Sequence, residues 1–350
     1  MDRIINTAIV GFGLSGKVFH APFIDLNPGF KLQKVLERHA SESSTIYPDV
    51  QVVRDYEEIL EDREIELVVI CTPNIHHYPM AEAALKAGKH LVVEKPFMPT
   101  VKEVDEIFGL AKEQKREVFV YQNRRWDGDF ITINKLLDGG LLGDIRYFEA
   151  HFDRFSPERK RAAWRDEVLP GSGILYDLGS HLIDQVVCLF GTPDTVCADI
   201  QSQRKGSRVD DYFEVKLDYP DVQAAVTAGM LVEEPELRYV INGSTGSYVK
   251  YGIDPQEAKL KKGQKPMGEE WGTEDFENWG LTSFVNSGLH FDGSVETEPG
   301  NYMGFYDNVW AVLNGHAKKE VSDDQVRTVI RIIELAFESN KQQATITYSE

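Results

Sequence analysis

The chain is short of cysteine, of long apolar runs and of positive charge. Only Cys71, Cys188 and Cys197 occur in 350 residues, and they fall into no disulfide framework or metal knuckle. Cys71 lies in an apolar strand-like run and Cys188 in an apolar helix-like run, so buried free thiols in a reducing compartment are expected. No apolar run approaches the roughly 18 residues of a membrane-spanning helix. No basic flank followed by an apolar core opens the chain. Neither a membrane partner nor a leader is expected, and the expected location is cytoplasmic. Lys and Arg number 38 against 57 Asp and Glu, a net charge of −19. A surface this acidic argues against nucleic acid, whose phosphates are bound by clustered cations. The one basic cluster, Lys259, Lys261, Lys262 and Lys265, sits among Gly and Pro and reads as a solvated loop.

Hydrophobic residues make up 42% and charged residues 27%, ordinary globular proportions. At this length two cores are more natural than one. Ile5–Val10 reads as a strand, and Gly11-Phe12-Gly13-Leu14-Ser15-Gly16 follows at once. G-x-G-x-x-G between a strand and a helix binds a dinucleotide pyrophosphate. Gly11 allows the turn, Gly13 lets the backbone approach the phosphates, and Gly16 lets the helix pack close. The helix N-terminus then offers N–H groups and partial positive charge to the anion.

Strand and helix patterns alternate through the first third. Strands are expected at 31–37, 66–71, 90–94 and 118–121, and helices at 56–60, 78–87 and 101–114. Such alternation implies a parallel sheet with helices on both faces. Ligands of these sheets bind at the carboxyl ends of the strands, which places Gly11, Glu37, Thr72, Glu94 and Gln122 around one crevice. After about residue 122 the pattern changes. Residues 145–155, 195–203, 212–219, 222–231 and 238–242 alternate apolar and polar at period two, as in an antiparallel sheet with one solvated face. Helices are expected at 130–137, 180–190, 302–313 and 323–340. The stretch 253–300 has little periodicity and reads as loops. The division expected is a dinucleotide-binding domain over 1–122 and an α/β domain over 123–350. A sheet with an open outer face suggests a homodimer or homotetramer.

Glu37 falls 21 residues after Gly16, where an acid accepts hydrogen bonds from an adenosine ribose and favours NAD. Arg38 and His39 follow and suit the 2′-phosphate of NADP instead. Both cofactors stay open. Pro96 ends the strand before it, and Lys95 then projects toward the crevice, where an ammonium favours a developing alkoxide. Asp177, His181 and Asp184 have i, i+4, i+7 spacing and share a face if a helix begins near Asp177. His181 has the proton affinity to take a hydroxyl proton. The same three residues also suit a metal site, or a helix cap and a core histidine.

Taken together these strings become recognisable. Gly11-x-Gly13-x-x-Gly16, Thr72-Pro73-Asn74-x-x-His77, Ala87-Gly88-Lys89-His90, Glu94-Lys95-Pro96 and Asp177-x-Gly179-x-His181 occur in an order that resembles the Gfo/Idh/MocA oxidoreductases. Ser15-Gly16-Lys17-Val18-Phe19-His20-Ala21-Pro22, Asn123-Arg124-Arg125-Trp126-Asp127 and the run Tyr176–His181 look closest to its scyllo-inositol 2-dehydrogenase branch. The resemblance implies an N-terminal Rossmann domain and a C-terminal α/β domain with a large, mostly antiparallel open sheet. It implies NAD or NADP as cofactor, a cyclic polyol or sugar as substrate, and no metal. It also implies that Lys95, Asp177 and His181 are catalytic. Thr72, Pro73, Asn74 and His77 then form the loop beside the nicotinamide and ribose, with Glu94, Asn123 and Arg124 at the edge of the site. Trp164, Arg165 and Tyr176 are further substrate-contact candidates. An aldose or keto-sugar reductase uses the same site, and a non-catalytic dinucleotide-binding regulator is the reading from another class.

Overall fold

The structure, a computed structural model, describes residues 3–158, 167–234 and 237–349. Six strands, β1 (Ile5–Val10), β2 (Phe30–Leu36), β3 (Gln51–Val53), β4 (Leu67–Ile70), β5 (His90–Val93) and β6 (Val118–Val120), form one sheet. All are parallel, in the order β3-β2-β1-β4-β5-β6. This is the doubly wound order, with its switch point between β1 and β4. The middle strands are nearly all apolar because helices cover both faces, and every residue of β4 is buried.

The helices here are α1 (Ala21–Leu26), α2 (Glu42–Ile46), α3 (Glu57–Leu60), α4 (His77–Lys86) and α5 (Val101–Gln114). α5 shows how the sequence sets its ends. The Thr100 hydroxyl accepts from the Glu103 amide at 3.3 Å and donates to the Glu103 carboxylate at 2.9 Å, a reciprocal cap. Lys115 then turns left-handed, with φ of 53°, and stops the helix.

The second sheet has nine strands. They are β7 (Ile145–His151), β8 (Thr195–Gln201), β9 (Tyr212–Asp218), β10 (Gln223–Gly229), β11 (Leu237–Gly243), β12 (Gly246–Tyr251), β13 (Gly280–Asn286), β14 (Leu289–Val295) and β15 (Ile346–Thr347). Their order is β14-β13-β12-β11-β7-β10-β9-β8-β15. Every pairing is antiparallel except β7 with β10. Phe148, Ala150, Phe213, Val215, Tyr239 and Ile241 point to a buried face, which α6 (Gly128–Asp138) and α7 (Ser180–Phe190) accompany in sequence. Their neighbours Tyr147, Glu149 and His151 are only half-buried, so the period-two alternation of the sequence is the pleat itself.

The chain forms two compact units. One is residues 1–123 with 256–269 and 301–326, and the other is 124–255 with 270–300 and 327–350. The first cut lies between residues 123 and 124. The later returns to the first unit, carrying α8 (Gln256–Lys261) and α9 (Met303–Leu313), are absent from a simple two-part division. The last cut, after residue 326, falls inside α10 (Asp323–Gln342).

The stretch expected to be loops, 253–300, instead contains α8 and the hairpin β13–β14. Its turn, Ser287-Gly288, has φ of 52° and 78° at its two residues, the conformation of a tight hairpin turn. β14 buries neither face, with Leu289 63% and Phe291 44% exposed, so the short alternation of Leu289, Phe291 and Val295 with polar residues marks no core face. Phe284 and Phe291 stack across the strands at 5.1 Å.

Candidate active site

In the first unit the Gly-rich turn leaves β1 at its carboxyl end. The Gly11 amide donates to the Leu36 carbonyl at 3.1 Å. Gly11 has φ of 94°, a left-handed conformation that glycine adopts without strain. A Cβ on Gly16 would lie 2.2 Å from the Gly11 carbonyl oxygen, so glycine is what allows the turn to close. A Cβ on Gly13 would meet nothing within 4 Å, and Leu14 is exposed. The open space over Gly13 fits a pyrophosphate approaching the backbone. Phe12 is buried edge-on against Tyr47 at 6.5 Å. The Ser15 hydroxyl donates to the Glu94 carboxylate.

Gly16–His20 is a π-helical turn closed by the Ala21 amide on the Gly16 carbonyl. Pro22, which has no N–H to give, falls in the first turn of α1. The widened turn puts His20 fully inside the unit. Its Nε2 is 3.0 Å from Glu94 Oε1, and its Nδ1 is 2.6 Å from the Tyr306 hydroxyl on α9. Burial alone would raise the Glu94 carboxyl. Hydrogen bonding and charge from His20, the Lys95 charge and the Ser15 hydroxyl outweigh it and hold the pKa at about 2.

Glu37 does not stand open to a ribose. It is buried, and its carboxylate accepts from the amides of Glu42 at 3.1 Å and Ser43 at 2.9 Å, and from the Ser43 hydroxyl. It satisfies the amides that open α2, a capping role that spacing from Gly16 could not distinguish from ribose binding. Arg54 donates to the carbonyls of Glu37 and Ala40 and fixes the turn from beneath. Arg38 and His39 are exposed at that turn.

The Thr72–His77 string is a clasp. His77, fully buried, has Nε2 2.9 Å from the Thr72 carbonyl and Nδ1 3.1 Å from the carbonyls of Pro96 and Phe97. It ties the loop after β4 to the loop after β5. Burial lowers its proton affinity against the pull of those carbonyls. The Thr72 hydroxyl donates to Met80 Sδ at 3.7 Å, and Pro73 precedes the short helical turn Asn74–His76. The Lys95–Pro96 peptide is cis. The Lys95 amide donates to Glu94 Oε2 at 3.0 Å, and the residue is half-buried. Asn123, at the end of this unit's first segment, is buried.

In the second unit, Asp177 lies in a π-helical turn, Leu175–Gly179, that runs straight into α7. No helix N-terminus falls at Asp177, so it is not a cap. Asp210 has that role instead, accepting from the Leu175 amide at 2.8 Å. Burial pushes the Asp210 carboxyl up to about 6, against the backbone donors that favour its charge. His181 is buried and Asp177 half-buried. Asp184 is buried one turn further on, and both its oxygens are held by Arg125, at 2.8 and 2.7 Å. That bidentate pair accounts for the third member of the i, i+4, i+7 set without a metal. Gln185 donates to the Arg124 carbonyl at 3.0 Å and accepts from the Tyr239 hydroxyl at 2.9 Å. α7 is thereby anchored along the face next to His181.

Arg124 is buried in this second unit, 3.6 Å from Asp127 and stacked over Phe152 at 5.0 Å. Arg238 joins it, 3.3 Å from Asp129 and 4.9 Å over the same ring. Arg238 and Tyr306 fall in no motif, and His20 and Arg125 fall in strings that gave them no role, because each partner is distant in sequence. Tyr176 stacks on Phe337 at 5.8 Å. Trp164 and Arg165 lie outside the described residues.

A doubly wound sheet with this Gly-rich turn, joined to a second unit built on a large mixed sheet, defines a dinucleotide-dependent oxidoreductase. Residues 5–122 match the NAD-binding Rossmann fold and residues 134–348 the C-terminal alpha/beta domain of one oxidoreductase family. The chain belongs to the Gfo/Idh/MocA family. It is 41% identical over 346 residues to YdgJ, an uncharacterized oxidoreductase of Escherichia coli, with 99% of each chain covered. It is 39% identical to IolW of Bacillus subtilis, a scyllo-inositol 2-dehydrogenase (NADP(+)), over 98% of this chain and 95% of that one. A solved structure of an oxidoreductase from Bacillus cereus is 33% identical, with a TM-score of 0.91 and 99% of each chain covered. The cofactor class is NAD or NADP. Among the described residues no helix is long and apolar enough to cross a membrane.

Proposed function

We propose that this protein oxidises a ring CH–OH of a cyclic polyol of the scyllo-inositol type, with NADP preferred over NAD. The kinship to IolW across nearly the whole chain carries the substrate class. The NADP preference rests on Glu37, whose carboxylate already caps α2, and on Arg38 and His39, exposed beside it. A nicotinamide held in the first unit would supply the hydride acceptor. An imidazole nitrogen of His181 receives the hydroxyl proton. The Lys95 ammonium donates to the oxygen as it gains negative charge, where a fixed donor contributes most. Asp177 orients the substrate hydroxyls and His181. Gly11–Gly16 cradle the pyrophosphate, with Thr72, Pro73 and Asn74 beside the nicotinamide ribose.

The test follows nicotinamide absorbance with NAD and NADP against scyllo-inositol, myo-inositol and a panel of aldoses. NADP-dependent turnover of an inositol supports the proposal. Turnover of aldoses alone replaces it with the sugar-reductase reading of the same site. Bound dinucleotide without turnover on any polyol or sugar overturns both. Lys95→Ala is expected to lose turnover by about 10²-fold or more while keeping dinucleotide affinity, and wild-type turnover in that variant refutes the role given to Lys95.

A further inference from the structure

The string Ala87-Gly88-Lys89-His90 stands out in the sequence, yet the reaction as proposed uses none of it. It joins α4 to β5 and so lies at the amino end of the parallel sheet, the end opposite the Gly-rich turn and Lys95. A cleft of about 490 Å³ opens there, lined by this string, by Arg3, by residues between the end of α3 and β4, and by Arg116 after α5. Gly88 turns left-handed, with φ of 75°, and Lys89 runs inward. Its ammonium donates to the carbonyls of Asp62 and Ile65, the second at 2.9 Å, and meets no carboxylate. Arg116 is also spent on carbonyls, Nε on Gly88 at 2.5 Å and Nη1 on Lys115 at 3.0 Å, which leaves Nη2 unused. Arg63 is exposed, and its guanidinium makes no hydrogen bond or ion pair among the described residues. His90 Nδ1 accepts from the Glu117 amide at 2.9 Å, so the neutral ring carries its proton on Nε2. Burial and the charges of Arg116 and Arg3 push the His90 pKa down to about 4, against Glu117, so the ring is neutral at pH 7.

The carboxylates nearby do not balance these cations. Glu66 is taken by Arg3 at 2.6 Å, Asp62 by Lys34 at 2.7 Å and Glu117 by Lys319 at 3.0 Å. Glu61 alone lines the cleft without an ion pair among the described residues. Arg63, Lys89 and Arg116 therefore share one open carboxylate, in a chain whose net charge is −19. Burial lowers the proton affinity of Lys89, and the Arg116 charge adds to it against Asp62, as expected where like charges crowd.

We propose that this cleft binds the phosphate group of a small anion, at the end of the sheet away from the dinucleotide. The donors left over are Arg116 Nη2, the His90 Nε2–H and the Arg63 guanidinium, and they come from three separate segments. A tetrahedral group with three outer oxygens can take donors from several directions, whereas a planar carboxylate is matched best by one complete guanidinium fork. The volume exceeds that of a bare phosphate and falls in the range of small-molecule sites. The inference uses only contacts within the first unit and is independent of the reaction proposed above.

The test titrates inorganic phosphate into the intact protein at fixed ionic strength and follows its phosphorus NMR line width, with and without saturating NADP to occupy the Gly-rich turn. Saturable binding that survives NADP is expected. Glycerol phosphate, run alongside, separates the sources: tighter binding than inorganic phosphate marks a phosphate monoester as the ligand, equal binding marks free phosphate, and either supports the site. Arg63→Gln is expected to weaken phosphate about tenfold and Arg116→Gln by as much or more. Glu61→Gln is expected to strengthen it, because a like charge leaves the cleft. Lys205→Gln removes an exposed charge from the second unit and is expected to change nothing. Arg63 holds nothing in the fold, so Arg63→Gln and Glu61→Gln carry the test if circular dichroism shows Arg116→Gln to be unfolded. Displacement of phosphate by NADP overturns the proposal, as does unchanged binding in Arg63→Gln. Succinate competing as well as phosphate at the same ionic strength overturns the assignment of a phosphate.

Discussion

Two glycines of one turn are expected to fail in opposite ways when given the same methyl group. A Cβ on Gly16 meets the Gly11 carbonyl oxygen at 2.2 Å and Ile9 Cγ2 at 3.3 Å. The first is backbone, pinned through its own residue's amide to β2, and cannot swing aside. Gly16→Ala must therefore push the π-helical turn off β1, an overpacking cost of about 2 kcal/mol. In a unit of this size that lowers the melting temperature by roughly 4–8 °C, and dinucleotide affinity falls with it. A Cβ on Gly13 meets nothing within 4 Å, and its φ is not left-handed. Gly13→Ala should leave the fold intact and even restrict the unfolded chain slightly. The methyl instead occupies the approach of the pyrophosphate, so dinucleotide affinity should fall at least tenfold, about 1.4 kcal/mol. Calorimetric melting and dinucleotide titration of both variants read the split. A Gly13→Ala protein that binds as tightly as wild type would refute the placement of the phosphates. A Gly16→Ala protein with an unchanged melting temperature would refute the packing argument.

Arg38→Ala is expected to weaken NADP by about 10–100-fold through loss of a charged phosphate contact, and to leave NAD within a factor of two or so. Equal losses for the two cofactors, read by titration, would count against a 2′-phosphate contact. Asp210 holds its carboxyl at about 6 because burial favours the neutral acid. Its folded value lies above the unfolded value of 3.8, so its contribution to stability is complete below that value and is lost as pH rises through 6. Asp210→Asn keeps an acceptor for the Leu175 amide and does not titrate. Relative to wild type it should gain up to about 3 kcal/mol between pH 4 and 7. A stability difference independent of pH in denaturant titrations would show that Asp210 does not titrate in this range.

The sequence by itself determined what depends on neighbours in the chain. The parallel sheet was legible because β4 and β5 are short apolar runs between helices with clear ends, and the dinucleotide turn because its glycines answer to local geometry. The alternation of 212–219 and 222–231 predicted β9 and β10 because one face of each is buried. Lys95, Asp177 and His181 were legible as candidates because a proline stop and an i, i+4 spacing are local signals. Tertiary structure decided everything that depended on partners far apart in sequence. Glu37 sits at the spacing of a ribose ligand, yet its carboxylate caps α2, a helix too short and polar to be read beforehand. Asp184 shares the spacing of a ligand set, and its partner proved to be Arg125. The hairpin of 280–295 was not expected because β14 buries neither face, so its few apolar positions report no core. His20 acquired a place only when a helix almost 300 residues later brought Tyr306 to its other nitrogen. Hydrogen bonding and burial are satisfied in space, and a pattern along the chain records them only where the partner is also near in sequence.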